Sequence, residues 1–433
     1  MRFPRITRAR RSILADAGQT TTEAVVMATV ATALVAAVVL FQSGIASAIG
    51  GGAMSVATMF TGHPKAMKAA AQDAGVGGAE EYPPEAFAIY SADDASLDFY
   101  YRADMPAAGE RYEGKTVTKV YTVSSAGWSS DSTVKSSTRT IDVIDSGIAP
   151  SSMDSWFYGF TALDSANLSN LDVSNTTSVG SLFKNCSALT SVNISGWKTA
   201  KLANMGYMFS GCAALNSVDV SGLDTSNVTT LYAAFRNCSA LTSLDLSSWD
   251  TSNVTTMGSL FSYCSALTSL DLSGWRTSKA TDMSYLLNYC SSLSTLKGLS
   301  GFDTSNVTTM NSMFKRCSSL TELDVSSFQT PNVTDMGYMF YHCEKVTSLD
   351  VSSFDTSNVT TLYVAFNSCS SLTELKGLSG WDTSNVTEMY ATIAQCGALE
   401  ISVDLSGWNV SKVTSYADFN ADSPQVVRPS AWG

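Results

Sequence analysis

The hydrophobic positions of this chain repeat with a period of 26 or 27 residues between about residue 156 and residue 419. In one unit, Leu267, Leu270 and Leu272 follow the pattern L-x-x-L-x-L, and the last two leucines alternate with polar residues. Such alternation is typical of a short strand that buries one face. A Ser-Gly-Trp segment and a polar turn follow the strand. We therefore predict one short strand in every repeat.

The segment before each cysteine has a different hydrophobic spacing. Met257, Leu260, Phe261 and Cys264 stand at positions i, i+3, i+4 and i+7. In an α-helix this spacing places the four side chains on one face. The pattern predicts a short helix of about two turns, which points its apolar side chains at the same axis as the strand.

All nine cysteines occupy the same position of the repeat. They are Cys186, Cys212, Cys238, Cys264, Cys290, Cys317, Cys343, Cys369 and Cys396. A fixed period in this range is the signature of a solenoid, in which each unit buries its apolar face against its neighbours. We predict an α/β solenoid of about ten coils over residues 153–419, with a short parallel strand, a turn and a short helix in each, and a C-terminal cap over 420–433. Equivalent side chains of stacked coils lie side by side, so we expect buried, reduced thiols.

The repeat also carries a family resemblance. The stretch Leu-Thr-Ser-Leu-Asp-Leu-Ser-Ser-Trp-Asp-Thr-Ser-Asn-Val-Thr-Thr-Met at residues 241–257, followed by Leu-Phe-x-x-Cys at 260–264, resembles the repeat of the BspA-type leucine-rich repeat surface proteins of bacteria. The resemblance implies a leucine-rich repeat fold. It also implies a cell-surface protein, often an adhesin that binds host matrix or other bacteria.

The N-terminal sequence predicts export. Residues 1–18 contain five arginines and form a basic leader, and residues 24–41 are an uncharged apolar run. Such a run is long enough to span a bilayer, with its basic side retained in the cytoplasm. We predict an apolar transmembrane or pilin-like helix over 19–48, a linker or stalk over 49–81, and a β-rich N-terminal cap over 82–152.

The junction between leader and apolar run resembles the processing site of type IV prepilins and their Tad/Flp-type relatives. Gly18 precedes the site where a prepilin peptidase would cut, and Glu23 is the fifth residue after it. The resemblance implies that the free amine of Gln19 neutralises Glu23 of a neighbouring subunit. Two alternatives stay open, a secretory signal cleaved after Ala48 and an uncleaved anchor.

Composition excludes several functions. Charged residues make up 15% of the chain and the net charge is -12, whereas nucleic acid binding requires a basic stripe. The two histidines, His63 and His342, are too few for a histidine-based metal or acid-base site. We predict no catalytic site, no cofactor and no metal, and no nucleic acid partner.

Partner contacts are predicted at exposed strand and turn positions of the repeat. These are Ser243, Asp245, Ser269, Asp271, Glu322, Asp324, Glu374 and Lys376. Two coils also carry pairs of positive charges in their polar turn, Lys198 with Lys201 and Arg276 with Lys279. Each pair is either a partner-binding patch or a relief of like-charge repulsion along the stack.

The polar turn of other coils carries an aspartate, at positions 224, 250, 303, 355 and 382. This row either binds Ca²⁺ or forms local Asx-turns in every coil.

The sequence as a whole indicates a non-enzymatic bacterial surface protein, an adhesin that binds a protein or glycan on a host or bacterial surface. It would be held in the membrane, or in a pilus, by its N-terminal helix. Two alternatives remain, a minor pilin or pseudopilin that carries a repeat head among pilus subunits, and an exported enzyme that uses the repeats for targeting.

Overall fold

The computed structural model describes residues 83–432, which form two compact units. Within the described residues, the first unit comprises 83–93 and 100–125, and the second comprises 94–99 and 126–432. The predicted leader, the apolar helix, the linker and the processing residues Gly18, Gln19 and Glu23 lie outside the described residues. Over residues 83–432, no helix combines the length and apolarity that membrane spanning needs.

Regular secondary structure consists mainly of short strands. The strands are β1 (Glu85–Ser91), β2 (Ser96–Arg102), β3 (Arg111–Tyr112), β4 (Lys115–Thr116), β5 (Lys119–Thr122), β6 (Thr140–Val143), β7 (Ser165–Asn167), β8 (Ser191–Asn193), β9 (Ser269–Asp271), β10 (Thr295–Lys297), β11 (Ser348–Asp350), β12 (Glu374–Lys376), β13 (Val403–Asp404) and β14 (Val426–Val427). The described residues hold one α-helix, α1 (Ser132–Ser137), and four 3-10 helices at Gly127–Ser129, Leu299–Gly301, Leu378–Gly380 and Ser430–Trp432.

The first unit is built on an antiparallel pair, in which β1 pairs with β5 in the register Phe87 to Thr122. Its core contains Phe87, Ile89, Tyr100 and other buried apolar side chains. The rings of Phe87 and Tyr100 stack with their centroids 5.6 Å apart. Aromatic and β-branched residues in short alternating runs favour strands, as the sequence predicted for this region.

The second unit is a solenoid of parallel coils. The Ser96–Phe99 part of β2 pairs with β6, β6 pairs with β7, and β7 pairs with β8, all in parallel. The strand pairs β9–β10, β11–β12 and β13–β14 continue the same arrangement with equivalent residues side by side. This confirms a short parallel strand that stacks on its neighbour in these coils. The equivalent segments at 217–219, 243–245 and 322–324 form no strand, so the prediction of one strand in every repeat holds only in part.

A column of single bridges on another side of the solenoid counts the coils. It joins Ser152, Ser178, Asn204, Thr230, Thr256, Asp282, Thr309, Asp335, Thr361, Glu388 and Ser415, each to the next. The solenoid therefore has eleven coils, one more than the ten or so that the sequence predicted.

The predicted helix before each cysteine is wrong. Ser259 and Tyr263 have φ angles of 58° and 63°, in the left-handed region that an α-helix does not contain. The amides of Leu260, Ser262 and Cys264 donate to carbonyls three residues back, whereas those of Ser259 and Phe261 donate to the next coil at 2.7 and 3.0 Å. We call this segment, from the bridge residue to the cysteine position of each coil, the turn ladder.

The physical reason lies in the neighbouring coil. Consecutive i to i+3 turns leave alternate amides free of local partners, and the next coil supplies a carbonyl for each. The side chains keep the predicted grouping, because Met257, Leu260, Phe261 and Cys264 are all fully buried. The hydrophobic spacing thus identified the buried face correctly but could not distinguish stacked turns from a helix.

The core consists of aromatic columns that run from coil to coil. Phe183, Phe209, Phe235 and Phe261 stack with centroids 5.6 to 6.0 Å apart. Beside them, each buried cysteine thiol donates to a phenylalanine or leucine carbonyl of the previous coil, as from Cys264 to Phe235 at 3.1 Å. Burial raises the pKa of the Cys264 thiol to about 12, so the cysteine column behaves as small, unreactive apolar groups.

Candidate functional site

Tyrosines recur on the outer side of the turn ladder. They include Tyr207, Tyr232, Tyr263, Tyr285, Tyr289, Tyr338, Tyr341, Tyr363, Tyr390 and Tyr416. Several contact each other between coils, and the centroids of the Tyr338 and Tyr363 rings and of the Tyr363 and Tyr390 rings lie 5.2 and 5.3 Å apart. The spacing follows from the ladder, because backbone amides of one coil donate to carbonyls of the next, as from Tyr338 to Tyr363 at 2.8 Å.

Tyrosines of three consecutive coils, together with Asp418 of the last coil, line a groove of about 350 Å³, which we call the tyrosine groove. Its floor is made by small apolar side chains, Val364, Ala391 and Ala394, which are 6%, 4% and 2% exposed. Four tyrosines pack against this floor while remaining partly exposed, and they are Tyr338, Tyr341, Tyr363 and Tyr390. A volume of this size is at the lower end of the range that ligand-binding clefts occupy.

Polar side chains border the groove. Asn367, Gln395 and Asp418 belong to its lining. The hydroxyl oxygen of Ser368 lies within hydrogen-bond distance of both amide oxygens, 2.7 Å from that of Asn367 and 2.6 Å from that of Gln395, and its single hydrogen donates to one of them at a time. Such contacts hold the amide groups in place at the edge of the apolar floor, so their orientation is set before any ligand arrives.

The titration of the groove tyrosines reflects their surroundings. Burial, with the adjacent Tyr363 hydroxyl as the next cause, raises the pKa of Tyr338 above its ordinary value. The Asp418 carboxylate, which accepts from the Tyr390 hydroxyl, raises the pKa of Tyr390. Both phenols are therefore neutral hydrogen-bond donors throughout the physiological pH range.

Two cations flank one end of this surface. The Lys315 ammonium lies 4.0 Å from the centroid of the Tyr338 ring, and the Arg316 guanidinium lies 5.6 Å from that of Tyr341. Burial, and secondarily the charge of Arg316, lowers the pKa of Lys315. Asp418 is at the opposite end, so the surface carries positive charge at one end and negative charge at the other.

The strand and turn residues predicted to bind a partner lie on a different face of the coils, half of them in β9 and β12 and half in segments that form no strand. Seven of the eight are exposed and Glu374 is half-buried. The Asp245 and Asp271 carboxylates each accept a hydrogen bond from the backbone amide two residues later, at 3.0 Å. Asp324 forms the same turn, and Glu374 pairs with Lys376 at 2.9 Å. The structure therefore gives these charged groups local partners.

The predicted basic pairs also have local partners. The ammonium groups of Lys201 and Lys279 each donate to an asparagine side chain of the previous coil, Asn175 and Asn253, at 2.6 Å. These lysines occupy the position at which other coils have asparagine. In those coils the asparagine donates to a backbone carbonyl of the previous coil, as from Asn253 to Ser226 at 2.7 Å. Lys198 and Arg276 are exposed in the same turn.

The row of turn aspartates forms Asx-turns. Asp250 accepts from the Ser252 amide at 2.9 Å, and the aspartates at 224, 303, 355 and 382 accept in the same way. The Ser252 hydrogen bonds lower the pKa of Asp250. Among residues 83–432 no group of three histidine, cysteine or acidic side chains is arranged to hold a metal ion.

The tyrosine groove itself was not identified from the sequence. Its tyrosines occupy variable positions between the buried columns, so they do not belong to the repeat consensus. The sequence does contain an indication of this surface. In several coils tyrosine is the second or third residue after the bridge position, next to glycine, serine, alanine or valine. Only the coil geometry shows that these positions share one outer surface.

A family of known sequences matches the repeat region. DUF285, described as a Mycoplasma protein of unknown function, matches residues 151–270, 218–297, 265–374 and 343–428. No curated protein matches the chain.

Solved structures similar to this chain include leucine-rich repeat proteins. One from Eubacterium ventriosum is 14% identical with a TM-score of 0.30, over 78% of this chain and 93% of its own. An internalin from Listeria monocytogenes is 14% identical with a TM-score of 0.24, over 60% and 82%. The chain in a complex of TLR13 with ssRNA13 is 16% identical with a TM-score of 0.27, over 65% of this chain and less than half, 44%, of that one.

The family matches together span residues 151–428, more than half of the chain. The same residues form stacked coils with short parallel strands whose leucines face the core. The chain therefore belongs to the DUF285 family, and its repeats form a solenoid of the leucine-rich repeat type.

Proposed function

We propose that this protein is a non-enzymatic bacterial surface adhesin, which binds a macromolecular partner through its solenoid in the manner of BspA-type proteins. The single observation that carries the proposal is the tyrosine groove, in which partly exposed aromatic side chains lie on a rigid, stacked scaffold. Tyrosine supplies a large amphipathic contact area at low cost in conformational entropy, which is why it is enriched in binding surfaces.

The repeated scaffold supports a binding role in a second way. Every backbone amide from Met336 to Cys343 donates a hydrogen bond within the solenoid. The outer surface can therefore vary its side chains without disturbing the hydrogen bonds that hold the coils together. Extended faces of this kind are what repeat proteins use to bind partners.

The proposal includes export and anchoring by the N-terminal apolar segment, with the processing residues Gly18 and Glu23 in the roles that the prepilin resemblance implies. The segment would place the solenoid outside the cytoplasm, where an adhesin meets its partner. N-terminal sequencing of the mature protein tests this part, because a start at Gln19 supports prepilin processing and a start at Ile49 contradicts it.

The binding role is tested by displaying the full-length chain on a non-adherent bacterium and measuring attachment to host cells and to matrix-coated surfaces. We expect display to increase attachment, and we expect Tyr363→Ala to reduce the increase. Tyr263→Ala serves as the matched control, because Tyr263 is an exposed tyrosine of the same ladder outside the groove. No gain in attachment over the empty host strain would contradict the adhesin proposal.

A further inference from the structure

The tyrosine groove limits the kinds of partner that fit it, and this inference rests on the proposed binding function. A peptide cannot join the turn ladder as an additional strand, because the amides from Met336 to Cys343 already have acceptors. A helix bonds its backbone amides and carbonyls internally, so it would offer no free carbonyls to the tyrosine hydroxyls and side-chain amides that line the groove. The occupant must therefore be an extended segment that keeps its own backbone groups free and is recognised by the side chains of the groove.

A polyproline II segment satisfies both conditions. It has no internal hydrogen bonds, and proline-containing segments of this kind dock in grooves lined by aromatic side chains. The partly exposed tyrosines would contact proline rings, while their hydroxyls and the ordered amides of Asn367 and Gln395 would reach the carbonyls that such a segment leaves exposed.

The charges at the two ends favour a peptide with charges of its own. Lys315 lies at one end, over the Tyr338 ring, and Asp418 lies at the other, beside Tyr390. Although the Tyr390 hydroxyl donates to Asp418, a carboxylate has about four acceptor sites and can bind a cation as well. A neutral sugar would use neither charge, which is why we favour a peptide over a glycan.

The length of the bound segment follows from the coil spacing. Four coil steps separate the coil of Lys315 from that of Asp418. At about 4.8 Å for each step, the distance along the solenoid is about 19 Å. A polyproline II chain rises about 3.1 Å per residue, so about six residues cover it.

We propose that the tyrosine groove binds an extended, proline-containing peptide of about six residues, with a basic residue at Asp418 and an acidic residue at Lys315. The test is fluorescence anisotropy of the purified full-length chain with labelled peptides. The probes carry a proline-rich centre between glutamate and arginine, in both orders, and a matched peptide replaces each proline with glycine.

We expect the proline peptide to bind and the glycine peptide to bind roughly tenfold more weakly or worse, since the glycine chain loses more entropy on ordering. Tyr363→Ala should weaken binding of the proline peptide by roughly tenfold or more, as truncation of a central aromatic contact does. Tyr263→Ala should leave it unchanged. With a further proline peptide that carries glutamine in place of arginine, the native chain should prefer arginine at the basic end, and Asp418→Asn should remove that preference.

Tyr390→Phe separates ligand contact from folding, because it keeps the ring packing and removes only the hydroxyl beside Asp418. Circular dichroism of each variant establishes that the solenoid is intact. Equal binding of the proline and glycine peptides, or proline-peptide binding that Tyr363→Ala leaves unchanged, would overturn the inference. If Tyr363→Ala abolishes bacterial attachment while no peptide binds, or if soluble oligosaccharides compete for the groove, the peptide inference fails and the adhesin proposal stands.

Discussion

Three steps of the bridge column are 27 residues long rather than 26, and in two of them, 282–309 and 361–388, the inserted residue is a glycine. Gly298 and Gly377 have φ angles of 93° and 84°, in the left-handed region. A Cβ atom at position 298 would lie 2.3 Å from the Ser273 nitrogen and 2.4 Å from the Leu272 carbonyl carbon of the previous coil. Because both atoms belong to the backbone, no side-chain rotation can relieve the overlap. We predict that Gly298→Ala strongly destabilises the solenoid.

The expected loss of stability in Gly298→Ala has two parts. A left-handed conformation costs a non-glycine residue about 1 to 2 kcal/mol. Displacing the neighbouring backbone adds about 1 to 3 kcal/mol, as overpacking of a tight interior does. We therefore expect Gly298→Ala to lower the free energy of unfolding by about 2 to 5 kcal/mol.

Gly301 provides the matched control, because it lies three residues further on and a Cβ atom there would meet nothing within 4 Å. Gly301→Ala should be neutral or stabilising by about 0.4 to 1 kcal/mol, since alanine restricts the unfolded chain. Urea unfolding of the full-length chain, followed by circular dichroism and tryptophan fluorescence, measures both variants. Equal transition midpoints for the two would refute the steric argument, and Gly377→Ala should reproduce the effect of Gly298→Ala.

Three further predictions follow from the core and the turns. Trp249→Phe should lower the free energy of unfolding, measured in urea, by roughly 1 to 3 kcal/mol more than Trp275→Phe does. The reason is that the Trp249 indole donates to a carbonyl at 3.2 Å, whereas the buried Trp275 indole has no such acceptor in the described structure. Equal losses for the two variants would contradict this prediction. At pH 8 a thiol reagent should modify none of the nine cysteines of the native protein and all nine of the denatured protein. The reason is that burial raises the pKa of thiols such as Cys264 to about 12. Hydrogen bonds in the Asx-turns hold the pKa of aspartates such as Asp250 below the ordinary value of 3.8. These hydrogen bonds therefore contribute fully to stability above pH 3.8, and the contribution is lost as the pH falls through the lowered pKa of the folded state. A thermal unfolding midpoint that stays constant from pH 5 to pH 2 would contradict the last prediction.

The repeat, its period and its buried columns could be predicted from the sequence, because burial of one face imposes a regular spacing of apolar residues. The cysteine column and most leucines at the strand positions are buried where the spacing places them. The aspartates of the polar turns illustrate the limit of this reasoning. Sequence alone left Ca²⁺ binding and Asx-turns as alternatives, and only the structure shows the backbone amides, such as that of Ser252, that form the Asx-turns.

The sequence by itself indicated that this protein is a solenoid of parallel coils, since short repeats that each bury one apolar face cover it by stacking on their neighbours. Only the tertiary structure decided that the segment before each cysteine is a ladder of turns, because the amides of Ser259 and Phe261 find their acceptors in the next coil, a partner that local spacing does not encode. It also decided where the tyrosine groove lies. Residues such as Tyr338 and Tyr390 are 52 positions apart in the sequence, and the stacking of coils brings them to one surface.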